Sequence, residues 1–309
     1  MIEPASADLR ASEALLHPEV AAQAEGMSAA EAFEYCRRYA SSHYENFTVV
    51  TWFLPRRLRP HFFALYAYCR FVDDLGDESA GDRTTLLDEW EAALRRCYEG
   101  RPQHPILVAL AETVRQHDIP IEPFVSLIEA NRMDQRIHRY ATYEHLLRYC
   151  QRSANPVGRL VLHLMGYTDE ERRRLSDCTC TALQFTNFWQ DVARDLKKGR
   201  IYIPLEDMAR CGYPEERLLT SEVNDAFRRL MTIEVERARQ LFEEGRRLED
   251  LVDRRLRVDL RLFRIGGERI LRAIERQGYD VLHRRPALSK GEKLWLMLTT
   301  AARQALPLR

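Results

Sequence analysis

Apolar positions along this chain recur at helical spacing and almost nowhere alternate. Phe227, Met231, Val235, Ala238 and Phe242 advance by four, four, three and four residues, one stripe of an amphipathic helix. The boxes Ser28 to Glu31, Thr168 to Glu171 and Ser289 to Glu292 each open such a pattern, with side chains placed to satisfy the first-turn N–H groups. Breakers are sparse: Pro102/Pro105, Pro120/Pro123, Gly199–Pro204, Gly212–Pro214 and Gly278 separate long helical blocks. No repeat, low-complexity linker or compositional shift marks a boundary. Residues 1–26 read as a loosely held arm, and 27–309 as a single all-α domain of about ten helices.

Two of these helices carry unexpected residues. The first, His61 to Asp77, is apolar on nearly every side from Phe62 to Val72, the pattern of a helix buried all round. Its C-terminal half then presents Arg70, Asp73 and Asp77 on one face, with Asp74 beside them. In the second, Gln184, Asn187, Asp191 and Asp195 form one polar stripe, while Leu183, Phe185, Phe188, Trp189 and Val192 cover the other faces. Each stripe read alone is as well explained by the solvated side of an amphipathic helix. Against that reading, carboxylates at i and i+4 weaken a helix, and both helices carry them at the same D-x-x-x-D spacing. The flanking faces are also too aromatic to lie open to water. Buried carboxylates require partners or cations. Two such stripes facing each other across an apolar cavity would hold Mg²⁺, which takes a few carboxylates together with water and substrate phosphate. A diphosphate held in that way leaves readily, and aromatic walls steady the carbocation left behind. The residues therefore point to metal-assisted ionisation of an allylic or similarly activated diphosphate.

Composition narrows the class and the compartment. The 309 residues are 45% hydrophobic and 9% aromatic, which excludes a disordered chain. Lys+Arg and Asp+Glu both number 47, so no basic excess marks a general nucleic-acid binder. That balance is local cancellation: residues 251–309 hold fourteen Lys/Arg against six Asp/Glu, and the remainder is correspondingly acidic. Ten arginines between Arg254 and Arg285 either solvate long helices or attract anionic lipid. Seven cysteines without a C-x-x-C pair argue against a zinc site or a disulfide framework. No apolar run reaches the roughly 18 residues of a membrane span; Phe62–Cys69 and Leu294–Ala302 are of core-helix size. Met1–Gly26 lacks the basic and apolar segments of a secretory signal. The expectation is a cytoplasmic protein, at most peripheral on the inner face of the cell membrane.

From about Tyr35 to Lys293 the sequence resembles the squalene/phytoene synthase family. The resemblance rests on Tyr66-x-x-Cys-Arg70-x-x-Asp73-Asp74-x-x-Asp77, on Tyr149-Cys150 followed by Ala154 through Gly158, and on Gln184-x-x-Asn187-x-x-x-Asp191-x-x-x-Asp195. Arg200-Ile-Tyr202-Ile-Pro and Gly278-Tyr279-Asp280 followed by Arg285-Pro286 complete it, all in order. It implies a class I terpenoid synthase bundle around a central cavity, Mg²⁺, and the joining or rearrangement of prenyl diphosphates. By position it makes Asp73, Asp77, Asp191 and Asp195 the Mg²⁺ carboxylates, with Asp74 grouped among them. Arg70, Tyr149, Gln184, Asn187 and Tyr202 match further active-site positions, although Tyr149 reads equally as a core tyrosine. His43, Tyr44, Asn46, Asn155, Tyr279 and Arg285 are candidate substrate contacts, as is Arg70. For His43, Tyr44 and Asn46, positioning of a water and helix-end packing both stand.

Departures from the family pattern select a branch. Most relatives that make phytoene or presqualene diphosphate carry Asn-x-x-Arg-Asp, where this chain has Asn187-Phe-Trp-Gln190-Asp191. It also has Ser153-Ala-Asn155-Pro156 in place of a Gly-Thr/Ser pair, and His43-Tyr44-Glu45-Asn46-Phe47 followed by Leu54-Pro-Arg-Arg-Leu-Arg-Pro60. These features resemble the hydroxysqualene-forming branch of bacterial hopanoid pathways. There presqualene diphosphate loses its diphosphate, the cation rearranges, and water captures it. Such a pathway implies a presqualene diphosphate synthase as a transient partner. A glutamine at position 190 hydrogen-bonds a water where an arginine would grip a second diphosphate, unless Gln190 is plain surface polarity. The alternatives are a head-to-head synthase using farnesyl or geranylgeranyl diphosphate, with or without a nicotinamide reductant, and a non-catalytic helical partner of such a synthase.

Overall fold

The computed structural model describes residues 20, 24–43 and 54–287. Tyr44, Asn46, most of the 1–26 arm and the Ser289–Glu292 box lie outside the described residues, and His43 is described in its backbone alone. The described residues form thirteen α-helices, a 3-10 turn and an isolated bridge between Arg139 and Ile201. The all-α expectation therefore holds. The surplus over ten comes from short helices, such as Glu215–Leu219 and Leu248–Leu251, in stretches that read as loops.

The backbone divides into two compact units. The first comprises Met1–Arg136 with Leu160–Tyr167. It contains α1 (Ala29–His43), α2 (Arg59–Asp77), α3 (Arg83–Tyr98), α4 (Pro105–His117) and α5 (Glu122–Asp134). Helix α2 packs against each of the other four. Phe62, Leu65, Tyr68, Phe71, Val72 and Leu75 are buried, but Phe63, Tyr66, Cys69 and Arg70 are half-buried and Asp73 is exposed, so the helix is covered on most sides rather than all round. The Ser28–Glu31 box caps α1 as read: Ser28 N–H donates to Glu31 Oε2 at 2.9 Å, and Glu31 N–H to Ser28 Oγ at 3.3 Å.

The second unit comprises Ile137–Arg159 and Thr168–Arg309. It contains α6 (Tyr143–Ser153), the start of α7 (Asn155–Leu164), α8 (Glu170–Lys197), α9 (Leu205–Cys211), α10 (Glu215–Leu219), α11 (Asp225–Gly245), α12 (Leu248–Leu251) and α13 (Arg254–Arg276). Helix α8 is the hub, packed on α6, α11, α12 and α13. The Phe227–Phe242 stripe of α11 is buried at every step. The cap of α8 differs from the sequence reading, because Asp169 rather than Thr168 accepts the Arg172 N–H. A carboxylate one residue on is the better match to the positive end of a long helix.

Candidate active site

In the first unit, α2 carries the acidic motif. Two of its carboxylates diverge in role. Asp74 is buried, ion-paired with Arg70, and accepts the Tyr39 hydroxyl at 2.6 Å. Asp74 is thus engaged by protein partners, and Arg70 also reaches Glu78 at 2.8 Å. Asp73 is reached by solvent, and Asp77 is half-buried. Protein crowds the Asp73 carboxyl even so. That desolvation outweighs the opposing influence of Asn131 and Arg70, and with the nearby Asp77 and Asp74 charges it pushes the group up to about 6.

Asn131, on α5, is a residue the sequence reading missed. Its Nδ2 donates to Asp73 Oδ1 at 3.3 Å and to the Leu127 carbonyl at 3.2 Å. Gly76 makes this approach possible, since a Cβ there would lie 2.0 Å from Asn131 Oδ1. The signal was present as the glycine inside Asp73-Asp74-Leu-Gly76-Asp77.

In the second unit, Asn187 on α8 is exposed, Gln184, Asp191 and Asp195 are half-buried, and Phe185, Phe188, Trp189 and Val192 are buried. Beside the stripe stands an aromatic group. Phe188 and Tyr202 stack with ring centroids 3.8 Å apart and planes at 7°. Tyr149 lies 5.8 Å from Tyr202 and 6.2 Å from Phe188, and Tyr140 lies 5.6 Å from both tyrosines. Tyr149 is thus a buried member of an aromatic wall. Tyr202 reaches its place because the chain around Ile201 pairs with residues 138–141: Ile201 N–H donates to the His138 carbonyl, and Leu205 N–H to that of Tyr140. Phe188, Tyr202, Asp195 and Arg200 line part of one small recess.

Asn155, expected to touch substrate, is buried instead. It accepts the Thr181 hydroxyl at 2.9 Å and so ties the start of α7 to α8. Gly158 serves the same contact, since a Cβ there would meet Ser176 Oγ at 2.4 Å and Cys180 Sγ at 2.6 Å. Gln190 is buried too, which removes the surface-polarity reading. Its Nε2 donates to the Pro286 carbonyl at 2.6 Å, so the amide nitrogen is engaged by protein. Next to it, Arg285 clasps Asp191 with both nitrogens of a fork, Nε to Oδ1 at 2.6 Å and Nη2 to Oδ2 at 2.8 Å. Arg194 approaches the same carboxylate at 3.3 Å. Tyr279 holds a left-handed backbone (φ 62°) just after Gly278 (φ 65°), where the chain turns off the end of α13 toward Arg285.

The donors fit a hard divalent cation. Asp73/Asp77 and Asp191/Asp195 offer only oxygens, each pair one helical turn apart. Among the described residues no three His, Cys, Asp or Glu side chains converge into a group able to hold an ion by themselves. Mg²⁺ leaves most positions to water and phosphate. The cysteines are all free thiols, and no described helix is long and apolar enough to cross a membrane.

Comparison with known proteins agrees with this geometry. The squalene/phytoene synthase family matches residues 25–292. The crystal structure of squalene synthase HpnC from Alicyclobacillus acidocaldarius superposes with a TM-score of 0.79 at 53% identity, over 84% of this chain and 96% of that one. A dehydrosqualene synthase in complex with ligand gives 0.81 at 25% identity, over 90% and 98%. The 15-cis-phytoene synthase of Synechococcus elongatus is 34% identical over 86% of this chain and 91% of its own length. The motifs stand in order, the fold is helical throughout, and the match spans most of the chain: this protein belongs to the squalene/phytoene synthase family, prenyltransferase-type enzymes that act on prenyl diphosphates.

Proposed function

We propose that the chain converts presqualene diphosphate and water to hydroxysqualene and diphosphate. The observation that carries this reading is the 53% identity with squalene synthase HpnC, well above the identity with the phytoene synthases, joined to Gln190 where most relatives have arginine. Asp73 with Asp77, and Asp191 with Asp195, are the carboxylates that would hold Mg²⁺. Bound Mg²⁺ would neutralise the charge that develops on the departing diphosphate. Arg70, held in place by Asp74, and Arg285 supply further positive charge for the diphosphate oxygens. Gln184 and Asn187 offer neutral donors on the same helix face as Asp191. The faces of Tyr149, Phe188 and Tyr202 stabilise the carbocation without reacting with it. One water must then add to the rearranged cation and lose a proton, which completes hydroxysqualene.

The second reading is head-to-head synthesis from farnesyl or geranylgeranyl diphosphate, favoured by the 34% identity with 15-cis-phytoene synthase. Incubation with Mg²⁺ and each of presqualene, farnesyl and geranylgeranyl diphosphate, with and without NADPH, separates the two. The expected outcome is hydroxysqualene from presqualene diphosphate alone, independent of NADPH. Consumption of farnesyl diphosphate as sole substrate would overturn the proposal. Asp73→Asn and Asp191→Asn should each lower turnover by at least about a hundredfold, as loss of metal-borne electrostatic stabilisation does, with circular dichroism unchanged.

A further inference from the structure

The contact between Asp191 and the segment that follows α13 has no place in the reaction as written, yet it is built on both sides. Arg285 engages both oxygens of Asp191, at 2.6 and 2.8 Å. The preceding side chain on α8, Gln190, donates to the carbonyl of the residue after Arg285, at 2.6 Å. Neighbouring residues of a helix thus grip neighbouring residues of a strap. The strap is itself preformed. Tyr279 N–H donates to the Ile274 carbonyl at 2.9 Å, Gln277 Nε2 donates to the carbonyls of Asp280 and Arg284 at 2.8 and 2.9 Å, and Asp280 accepts the His283 N–H at 3.1 Å. A fork–fork pair takes one lone pair on each carboxylate oxygen and sets a full positive charge beside them. A divalent cation competes for the same oxygens, and it is repelled by that charge.

We propose that Arg285 is a positioning residue that competes with the divalent cation for Asp191, with Gln190 as the anchor that sets the strap. Resting on the assignment of Asp191 as a cation ligand, this makes strap docking and cation binding antagonistic. The guanidinium leaves Asp191 when the cation arrives and becomes free to face the anionic leaving group. Gln190 has a reason to be neutral on this account. An arginine at 190 would set a second cation next to Arg285 and replace the donor to Pro286.

The test is Mn²⁺ binding to the full chain without substrate, read by electron paramagnetic resonance, with hydrogen exchange of residues 279–287 followed in parallel. Asp191→Asn identifies the sites that depend on Asp191. At those sites Arg285→Gln should bind Mn²⁺ roughly one-and-a-half- to fivefold more tightly, the range expected for loss of one partly exposed ion pair. Gln190→Ala should move affinity the same way by less, and Arg285→Lys, which loses the fork, should fall between wild type and Arg285→Gln. Addition of Mn²⁺ to the wild type should speed exchange across the strap. Equal or weaker binding by Arg285→Gln, or a strap whose exchange slows with Mn²⁺, would overturn the antagonism while leaving Asp191 as a ligand. If Asp191→Asn removes no Mn²⁺ site, the ligand assignment falls and the proposal with it.

Discussion

Gly76 and Asn131 show how a single missing Cβ organises a catalytic side chain. The D-x-x-x-D spacing was legible in the sequence, and so was the glycine within it. What that glycine accommodates was not, because Asn131 stands 55 positions further along, on α5. Gly76→Ala would drive a methyl to within 2.0 Å of Asn131 Oδ1, forcing the amide off both Asp73 and the Leu127 carbonyl. Overpacking of this kind costs about 1–3 kcal/mol, and thermal denaturation should show it. Adding Asn131→Ala should restore the stability without restoring turnover, since the clash is relieved but Asp73 stays unheld. Full recovery of both in the double variant would show that Asn131 serves packing alone. The same distinction applies to Asp74 and Asn155. Their residue types suited ligation, and only the structure shows their protein partners, Arg70 with Tyr39 for Asp74 and Thr181 for Asn155.

At the scale of elements, α13 was the ambiguous one. Its arginines read either as solvating charge or as a lipid-seeking face. The structure turns several of them to protein carboxylates: Arg261 and Arg264 share the buried Glu249, each at 2.6 Å, and Arg264 also meets Glu268 at 2.6 Å. These arginines are therefore engaged within the unit, which gives them a structural part in this helix. The opposite face of α13 sits tightly on α11 and α8. A Cβ at Gly267 would lie 2.4 Å from Phe242 Cζ and 3.2 Å from Leu183 Cδ2, and Phe242 is fully buried. Gly267→Ala should accordingly destabilise by about 1–3 kcal/mol. Phe242→Leu on the same chain should recover part of that loss, measured by urea denaturation. Additive losses would mean that the ring is not what blocks position 267. Close packing of this kind was invisible in the amphipathic pattern, which marks the buried side of a helix but not its distance from the next.

Across the whole molecule, two buried titratable groups, one in each unit, respond to pH in opposite directions. In the first unit, His104 is buried, T-shaped to Trp90 at a centroid separation of 5.2 Å, and desolvation depresses it to about 3. It folds neutral, so its contribution is intact above the usual histidine value near 6.5 and is lost as pH falls through that value toward 3. In the second unit, both carboxylate oxygens of Asp259 are buried without a hydrogen-bond partner. Desolvation, and then the charge of Asp253, pushes this group up to about 8. It folds protonated, so its contribution is intact below the ordinary carboxyl value of 3.8 and is lost as pH rises through 8. Asp259→Asn should therefore leave melting at pH 4 nearly unchanged and stabilise by about 1–3 kcal/mol at pH 8. An equal shift at both values would show that Asp259 does not titrate as described.

The sequence by itself determined the helical class, the burial of α2, the acidic spacing and the family, because helix periodicity and motif order are properties of neighbours along the chain. Only the tertiary structure decided that Asp74 turns inward, that Asn131 holds Asp73, that Tyr149 joins Phe188 and Tyr202, and that Arg285 clasps Asp191. Those outcomes depend on which distant side chain reaches a desolvated carboxylate first. A one-dimensional pattern records the charge of each residue but not the partner that neutralises it.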